Sequence, residues 1–398
     1  MIVTSAANPA TGPLAGTKVL DLTTVIMGPY ATQILGDLGA DVIKLEEGTG
    51  DLVRYLSPNR SPGMSGFVLN VNRNKRSVQL DLRSASDIEV FWALIEWADV
   101  FVTNVRPAGL ARLGVTYEAA AARNPRLIYV NAVGYDTRGP YGSRPAYDDL
   151  IQAGSGLTGL MARVAEDGRP RFVPTIVADK TSGLMVANAS LAALVHRNTA
   201  GPNAPGQQIE VSMLETMVSY VAVEHLQGHA FEPPIGPIGY NRILSPDRQP
   251  VRASDGWVVL MPYTDQNIRD FFAQVGRPEV ADDPRFATFD SRVKNVSAMY
   301  ELLGELAPAR SVDEWIALCE PFSIPCARVV DFEHIADDPH LVAIGFFQTA
   351  IHPTEGPYRL VGSPVRFSAT PANVPNVQRH APHLGQHTEE VRAELGFT

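Results

Sequence analysis

At 398 residues the chain is too long for one ordinary core, so two domains are expected. Apolar residues make up 45% and charged ones 19%, a globular balance that excludes a disordered chain. A net charge of −10 argues against nucleic acid as the main partner and no apolar run approaches a membrane span, whereas a small anionic ligand can still be held by local cations and helix ends.

The N-terminal stretch MIVTSAANPATGPLAG lacks the basic and apolar regions of a secretory signal. The first half then alternates short apolar strands with helices. Strands are predicted at Lys18–Leu22, Asp41–Glu46, Ser77–Leu82, Asp99–Asn104 and Leu127–Val133, with helices at Tyr30–Leu38, Ala85–Trp97 and Tyr117–Arg123. Such strands imply a parallel sheet covered on both faces, with ligands bound beyond the strand C-terminal ends. A helix follows Asp179. A polar loop, HRNTAGPNAPGQQ, leads to the strand-to-helix segment IEVSMLETMVSYVAVEHLQ. Residues 228–250 are Gly/Pro-rich and aperiodic. Residues 251–325 hold one strand, Trp257–Met261, and helices over 264–276, 292–307 and 311–320. Two strands around a Pro353–Pro357 turn are expected in 346–368, and a closing helix in 383–396. The cysteines Cys319 and Cys326 have no metal-type partners at metal-site spacing, and HExxH, GxSxG and P-loop patterns are absent. A cytoplasmic protein with reduced thiols, no metal and no permanently bound cofactor is expected.

Five segments could carry chemistry. Asp179 stands where a short apolar run meets a helix, so it reads as an N-cap that the helix dipole keeps ionised. Gly183, four residues on, clears that face, as an approaching ligand would require. Leu22–Tyr30 joins the first strand to a helix opened by Gly28-Pro29. A dinucleotide fold places its phosphate loop here and a ribose-binding acid at Glu46, but this loop lacks GxGxxG. Leu69–Ser77 gathers Asn74, Lys75 and Arg76. Asn104–Arg112 adds Asn104, Arg106 and Arg112 at what is predicted to be the same sheet edge. Two basic clusters converging in an acidic chain point to an anionic ligand. Finally, Tyr147 and Asp148 precede a helix, and Asp148 reads as a cap.

In this order the segments LAGTKVLDLT, MGPYATQILGDLGADVIKLE, LNVNRNKRSVQLDL, ADVFVTNVRPAGLARLGV, NAVGYDTRGPY, VADKTSG, SIPCARVVDFEHIADDPHL and APHLGQHTEEVRAELG resemble the class III CoA-transferase family, which also includes alpha-methylacyl-CoA racemase. The resemblance spans nearly the whole chain. It implies an α/β fold, with a large Rossmann-like domain built from both chain ends and a smaller inserted α+β domain. The divisions are residues 1–224, 225–325 and 326–398. It also implies an interlocked homodimer.

By the same resemblance, Asp179 is a nucleophile that forms covalent aspartyl intermediates while CoA moves from an acyl-CoA to a small carboxylic acid. Tyr147 stands beside it as a second catalytic residue. Val25, Ile26, Asn74, Lys75, Arg76, Asn104, Val105, Arg112 and Met213 line the CoA site. Racemases of the family carry His where this chain has Tyr147. Formyl-CoA transferases carry a glycine run where residues 236–241 hold scattered glycine, and an Arg where Glu47 stands. The resemblance therefore points away from racemisation and from formyl-CoA and oxalate. The alternatives are an acyl-CoA racemase or epimerase of the same fold, or a catalytically silent acyl-CoA-binding protein.

Overall fold

Six short strands, four of them rich in Val, Ile and Leu, form the central sheet of the computed structural model, which describes residues 2–3, 11–371 and 379–397. The start of the chain, where no leader pattern is read, lies mostly outside the described residues. The strands are β1 (Lys18–Leu22), β2 (Asp41–Glu46), β3 (Lys75–Gln79), β4 (Val100–Thr103), β5 (Ile128–Val133) and β6 (Gln207–Ser212). They pair in parallel in the order β3-β2-β1-β4-β5-β6. This is the doubly wound order, in which the chain switches direction between β1 and β4 and opens a crevice at their C-terminal ends.

Parallel neighbours need crossovers, and helices supply most of them. They include α1 (Met27–Asp37), α2 (Gly66–Val71), α3 (Ala85–Trp97), α4 (Pro107–Ala111) and α5 (Tyr117–Arg123). Between β5 and β6 run α6 (Asp148–Gly154), α7 (Leu157–Val164) and α8 (Val177–Thr199), and α9 (Met213–His225) follows β6. On one face of the sheet α3 and α5 cover Leu20, Ile43, Val78, Phe101 and Tyr129. Phe101 meets Phe91 and Tyr129 edge to face at 5.9 and 4.9 Å. Each such fully buried side chain contributes about 1.5–3 kcal/mol. α8 packs on α1 through small residues: a Cβ on Gly183 would lie 2.7 Å from the Met27 carbonyl oxygen.

The predicted strand Ser77–Leu82 begins two residues earlier, at Lys75. The sequence hid this start because Lys75 and Arg76 are buried charges, tolerated inside a strand because carboxylates pair with both.

Two compact units emerge. The first takes the described chain up to Ser155, Val173–Tyr220 and Pro339 onward; the second takes Gly156–Phe172 and Val221–Asp338. The second is therefore wider than the 225–325 expected, because it also holds α7 and the return strand Cys326–Arg328. That strand pairs antiparallel with Trp257–Leu260, which pairs in turn with Val251–Arg252. Elements of two and three residues are too short for a period to show in sequence. Trp315 stacks on Phe271 at 5.7 Å in this unit's core, and its indole N–H donates to the Ala307 carbonyl at 2.9 Å. The 346–368 segment forms the expected pair, Phe347–His352 and Gly356–Val361, in the first unit.

Candidate active site

The loop after β1 is held under strain at the crevice. Val25 has φ +67°, a left-handed conformation that a β-branched residue rarely adopts. Such strain costs on the order of 1–3 kcal/mol and needs a surrounding structure that enforces it. Asp51 supplies one restraint: both its carboxylate oxygens accept the Val25 N–H at 3.0 Å. Asn104, just beyond β4, supplies another. Its Oδ1 accepts the Thr24 N–H at 2.9 Å and its Nδ2 donates to the Thr24 carbonyl at 2.8 Å. The two loops of the switch point are thereby tied together. Ile26 is buried against Val53, Met64 and Val68, so it serves as the floor of this loop.

Asp179 lies in the first turn of α8 and does not cap it: the helix begins at Val177, and Ile176 at the cap position offers no side-chain bond. The cap comes from another helix. Asp148 at the start of α6 accepts the N–H groups of Ala178 at 2.7 Å and Asp179 at 3.1 Å through Oδ1. Its Oδ2 accepts from Gln152 Nε2 at 2.6 Å. The expectation that Asp179 caps this helix and is held low by its amides is thus corrected. Those amides are already satisfied by Asp148, and the Asp179 carboxyl is pushed up to about 6. Burial is the main cause, the Asp148 charge the second, and the Met27 N–H bond opposes both. Among the described residues no cation forms an ion pair with Asp179. Gly183 also has a different role from the one expected: it admits the Met27 carbonyl and the Tyr30 ring, not a ligand.

The start of α8 therefore meets the start of α1, at the C-terminal edge of the sheet, where the tied loops of Val25 and Asn104 also lie. Val105 is half-buried and Arg112 exposed beyond β4. Met213 is buried at the start of α9, where the Leu214 N–H donates to the Gly134 carbonyl at 3.1 Å. Tyr147 precedes Asp148 with 67% of its surface exposed.

Asn74, Lys75 and Arg76 do not converge on this edge. They start β3, so the parallel order sets their backbone at the opposite, N-terminal edge. Lys75 has no exposed surface; it pairs with Asp21 at 3.0 Å and donates to the Pro29 carbonyl and Asn72 Oδ1. Arg76 pairs with Asp41 and Glu394, each at 2.7 Å. Asn74 donates to Asp37 at 2.8 Å. Glu46, the acid a dinucleotide site would use, is buried against Arg54 and also accepts from Ser77. Sequence reasoning missed Asp51, Gln152 and the true partner of Asp148. The only local trace was the four-residue spacing of Asp148 and Gln152 on one helix face.

The model of the family described as CoA-transferase family III matches residues 14–388. The chain belongs to CoA-transferase family III. A formyl-CoA:oxalate CoA-transferase of Escherichia coli is 31% identical over 97% of this chain and 96% of its own length. An acyl-CoA transferase of Fusarium pseudograminearum is 31% identical over 98% of this chain and 86% of its own length. Among solved structures, a CAIB/BAIF family protein from Brucella suis aligns with TM-score 0.80 and 29% identity, covering 97% of this chain and all of that one. A hypothetical protein of Mycobacterium tuberculosis aligns at TM-score 0.81 and 28% identity, over 96% of this chain and all of its own. A family III CoA-transferase is an enzyme whose substrates are CoA thioesters. Among the described residues there is no cluster that could hold a metal and no helix long and apolar enough to cross a membrane.

Proposed function

We propose that this enzyme moves CoA from an acyl-CoA to a free carboxylic acid, with Asp179 as the covalent nucleophile. The observation that carries the reading is a half-buried carboxylate, with no cation paired to it among the described residues, in the first turn of α8 at the C-terminal edge of the sheet. A carboxylate attacks only when ionised and partly desolvated, and a group near 6 is ionised at neutral pH. Its oxygen attacks the thioester carbonyl and expels CoA thiolate, leaving an aspartyl–acyl anhydride. The thiolate then attacks the aspartyl carbonyl, releasing the first acid and forming an aspartyl-CoA thioester. The acceptor carboxylate displaces the thiolate to give a second anhydride. Attack of the thiolate on the acceptor's carbonyl restores Asp179 and yields the new acyl-CoA. Every step exchanges one acyl bond for another, with no net change in protons.

The CoA is proposed to cross the switch-point crevice, over Val25, Ile26, Asn104, Val105 and Met213, with Arg112 at a phosphate. Lys75, Arg76 and Asn74 are assigned to the scaffold, because their donors are engaged by carboxylates. Tyr147 is proposed to pack beside the acyl group or donate to it. Small or dicarboxylic acids other than formate and oxalate are the proposed substrates. A homodimer in the cytoplasm is proposed as well, in keeping with exposed Leu184, Val195 and Tyr220 on α8 and α9. The test incubates the protein with acetyl-, propionyl-, malonyl-, succinyl- and glutaryl-CoA against the free acids and follows CoA products by mass spectrometry. Asp179→Ala should abolish exchange. Near wild-type turnover by that variant, or no exchange with any pair, would sink the reading.

A further inference from the structure

Asp148 is 6% exposed and caps a helix other than its own. It stands in the first turn of α6 and reaches across to the first turn of α8, whose N-terminal amides it accepts. Bonds from N–H groups to a carboxylate are roughly twice as strong as neutral ones. The carboxylate is itself braced. Gln152, one turn along α6, donates through Nε2 to its second oxygen at 2.6 Å, and its side-chain Oε1 accepts the Val173 N–H at 2.9 Å. The same amide nitrogen lies 3.4 Å from the Thr175 carbonyl. The segment from Val173 to Asp179 is therefore gripped at both ends by two side chains of α6. No side chain of α8 caps that helix, so this grip fixes where the Asp179 backbone, and with it the carboxylate, comes to rest.

We propose that Asp148, braced by Gln152, is a positioning residue that holds the Asp179 carboxylate on line for attack by capping α8 from α6. The proposal rests on the reading of Asp179 as nucleophile. Asp148 touches no reacting atom. Both its oxygens accept N–H donors of the protein. Its effect should fall on the chemical step, because a displacement of about 1 Å at a reacting group costs on the order of a hundredfold in rate.

The donor and acceptor pattern allows a rescue test. Asp148→Asn keeps an oxygen for the Ala178 and Asp179 amides but turns an NH2 toward the NH2 of Gln152. Adding Gln152→Glu reverses that bond, so the Asn amide donates to a carboxylate that still accepts the Val173 N–H. Rates are measured with the acyl-CoA and acid that exchange fastest in the panel above. Asp148→Ala and Asp148→Asn should each lower kcat about 10- to 100-fold, with KM for the acyl-CoA within about threefold of wild type. The double variant Asp148→Asn/Gln152→Glu should recover kcat to within about fivefold. Should Asp148→Ala fail to fold, the Asp148→Asn and double variants carry the comparison. A kcat within twofold of wild type for Asp148→Asn overturns the proposal, and so does a double variant no faster than Asp148→Asn. Failure of the underlying reading is separate: it is seen as turnover by Asp179→Ala, whatever the Asp148 variants do.

Discussion

Asp179→Asn should stabilise the protein above pH 6 while destroying its activity. In the folded chain the Asp179 carboxyl titrates near 6 against an ordinary value of 3.8, with burial the larger cause and Asp148 the second. The folded state therefore binds this proton more tightly than the unfolded one. The stability it contributes is complete below about pH 4 and is lost as pH rises through 6. A shift of about 2 units corresponds to roughly 3 kcal/mol. Asn keeps an oxygen for the Met27 N–H but has no charge to desolvate, so it escapes that loss. The stability gap, variant minus wild type, should be near zero at pH 4, open between 4 and 6, and level off at about 3 kcal/mol. At about 2 °C per kcal/mol for a large domain, that is about 6 °C in Tm at pH 8. Parallel thermal melts of the two proteins from pH 4 to 8 measure it. A gap that does not change with pH, or a variant less stable at pH 8, would refute the account of what sets the Asp179 proton affinity.

Other substitutions separate scaffold from site. Lys75→Met should strip Asp21 of its paired cation, leaving Lys44 and two hydroxyl donors, and cost about 3 kcal/mol in denaturant unfolding, with KM for acyl-CoA unchanged in the protein that folds. A raised KM in a fully stable variant would return Lys75 to the CoA site. Arg112→Ala, at an exposed position, should leave Tm within a degree or two and raise KM for acyl-CoA much more than KM for the acceptor acid; equal effects would count against a phosphate contact. Gly183→Ala should destabilise by about 1–3 kcal/mol, because its methyl group would sit 2.7 Å from the Met27 carbonyl oxygen and push α8 off α1. It should lower kcat as well, since Asp179 lies one turn away; an unchanged melt and rate would mean the helices part without cost. In wild type, kcat/KM should fall tenfold per pH unit well below 6, and an acid limb centred near 4 would contradict a raised Asp179.

The parallel sheet was legible because its strands are apolar runs bounded by helices. The crevice followed from the order of those strands, with Thr24, Val25 and Asn104 on adjoining loops. What stayed hidden was pairing at a distance. Lys75 and Arg76 look like a surface turn in sequence, since nothing local reveals that Asp21 and Glu394 wait for them 54 and 318 residues away. Asp148 and Asp179 both read as caps of the helices they precede. Geometry makes Asp148 the cap of the turn Asp179 belongs to and not of its own. The short strands Val251–Arg252 and Cys326–Arg328 left no period because two or three residues cannot form one.

Fully buried Asp21 and half-buried Asp179 show why the second, and not the first, suits nucleophilic attack. Burial alone would raise both. Asp21 is drawn down to about 2 nonetheless, by Lys75 and Lys44 and by hydroxyl donors from Thr23 and Thr32. Its anion is permanent, but its lone pairs are spent on those partners, so it is a structural charge. Asp179 keeps the Met27 N–H as its opposing donor and meets another carboxylate in place of a cation, and it rises to about 6. An anion of that kind is ionised at neutral pH yet poorly compensated, which leaves its electron pair available to a thioester carbonyl. A cation at Asp179 would convert it into a second Asp21. The like-charged neighbour Asp148 raises the basicity of Asp179 while its hydrogen bonds hold the attacking turn in place, so position and reactivity are set by the same side chain.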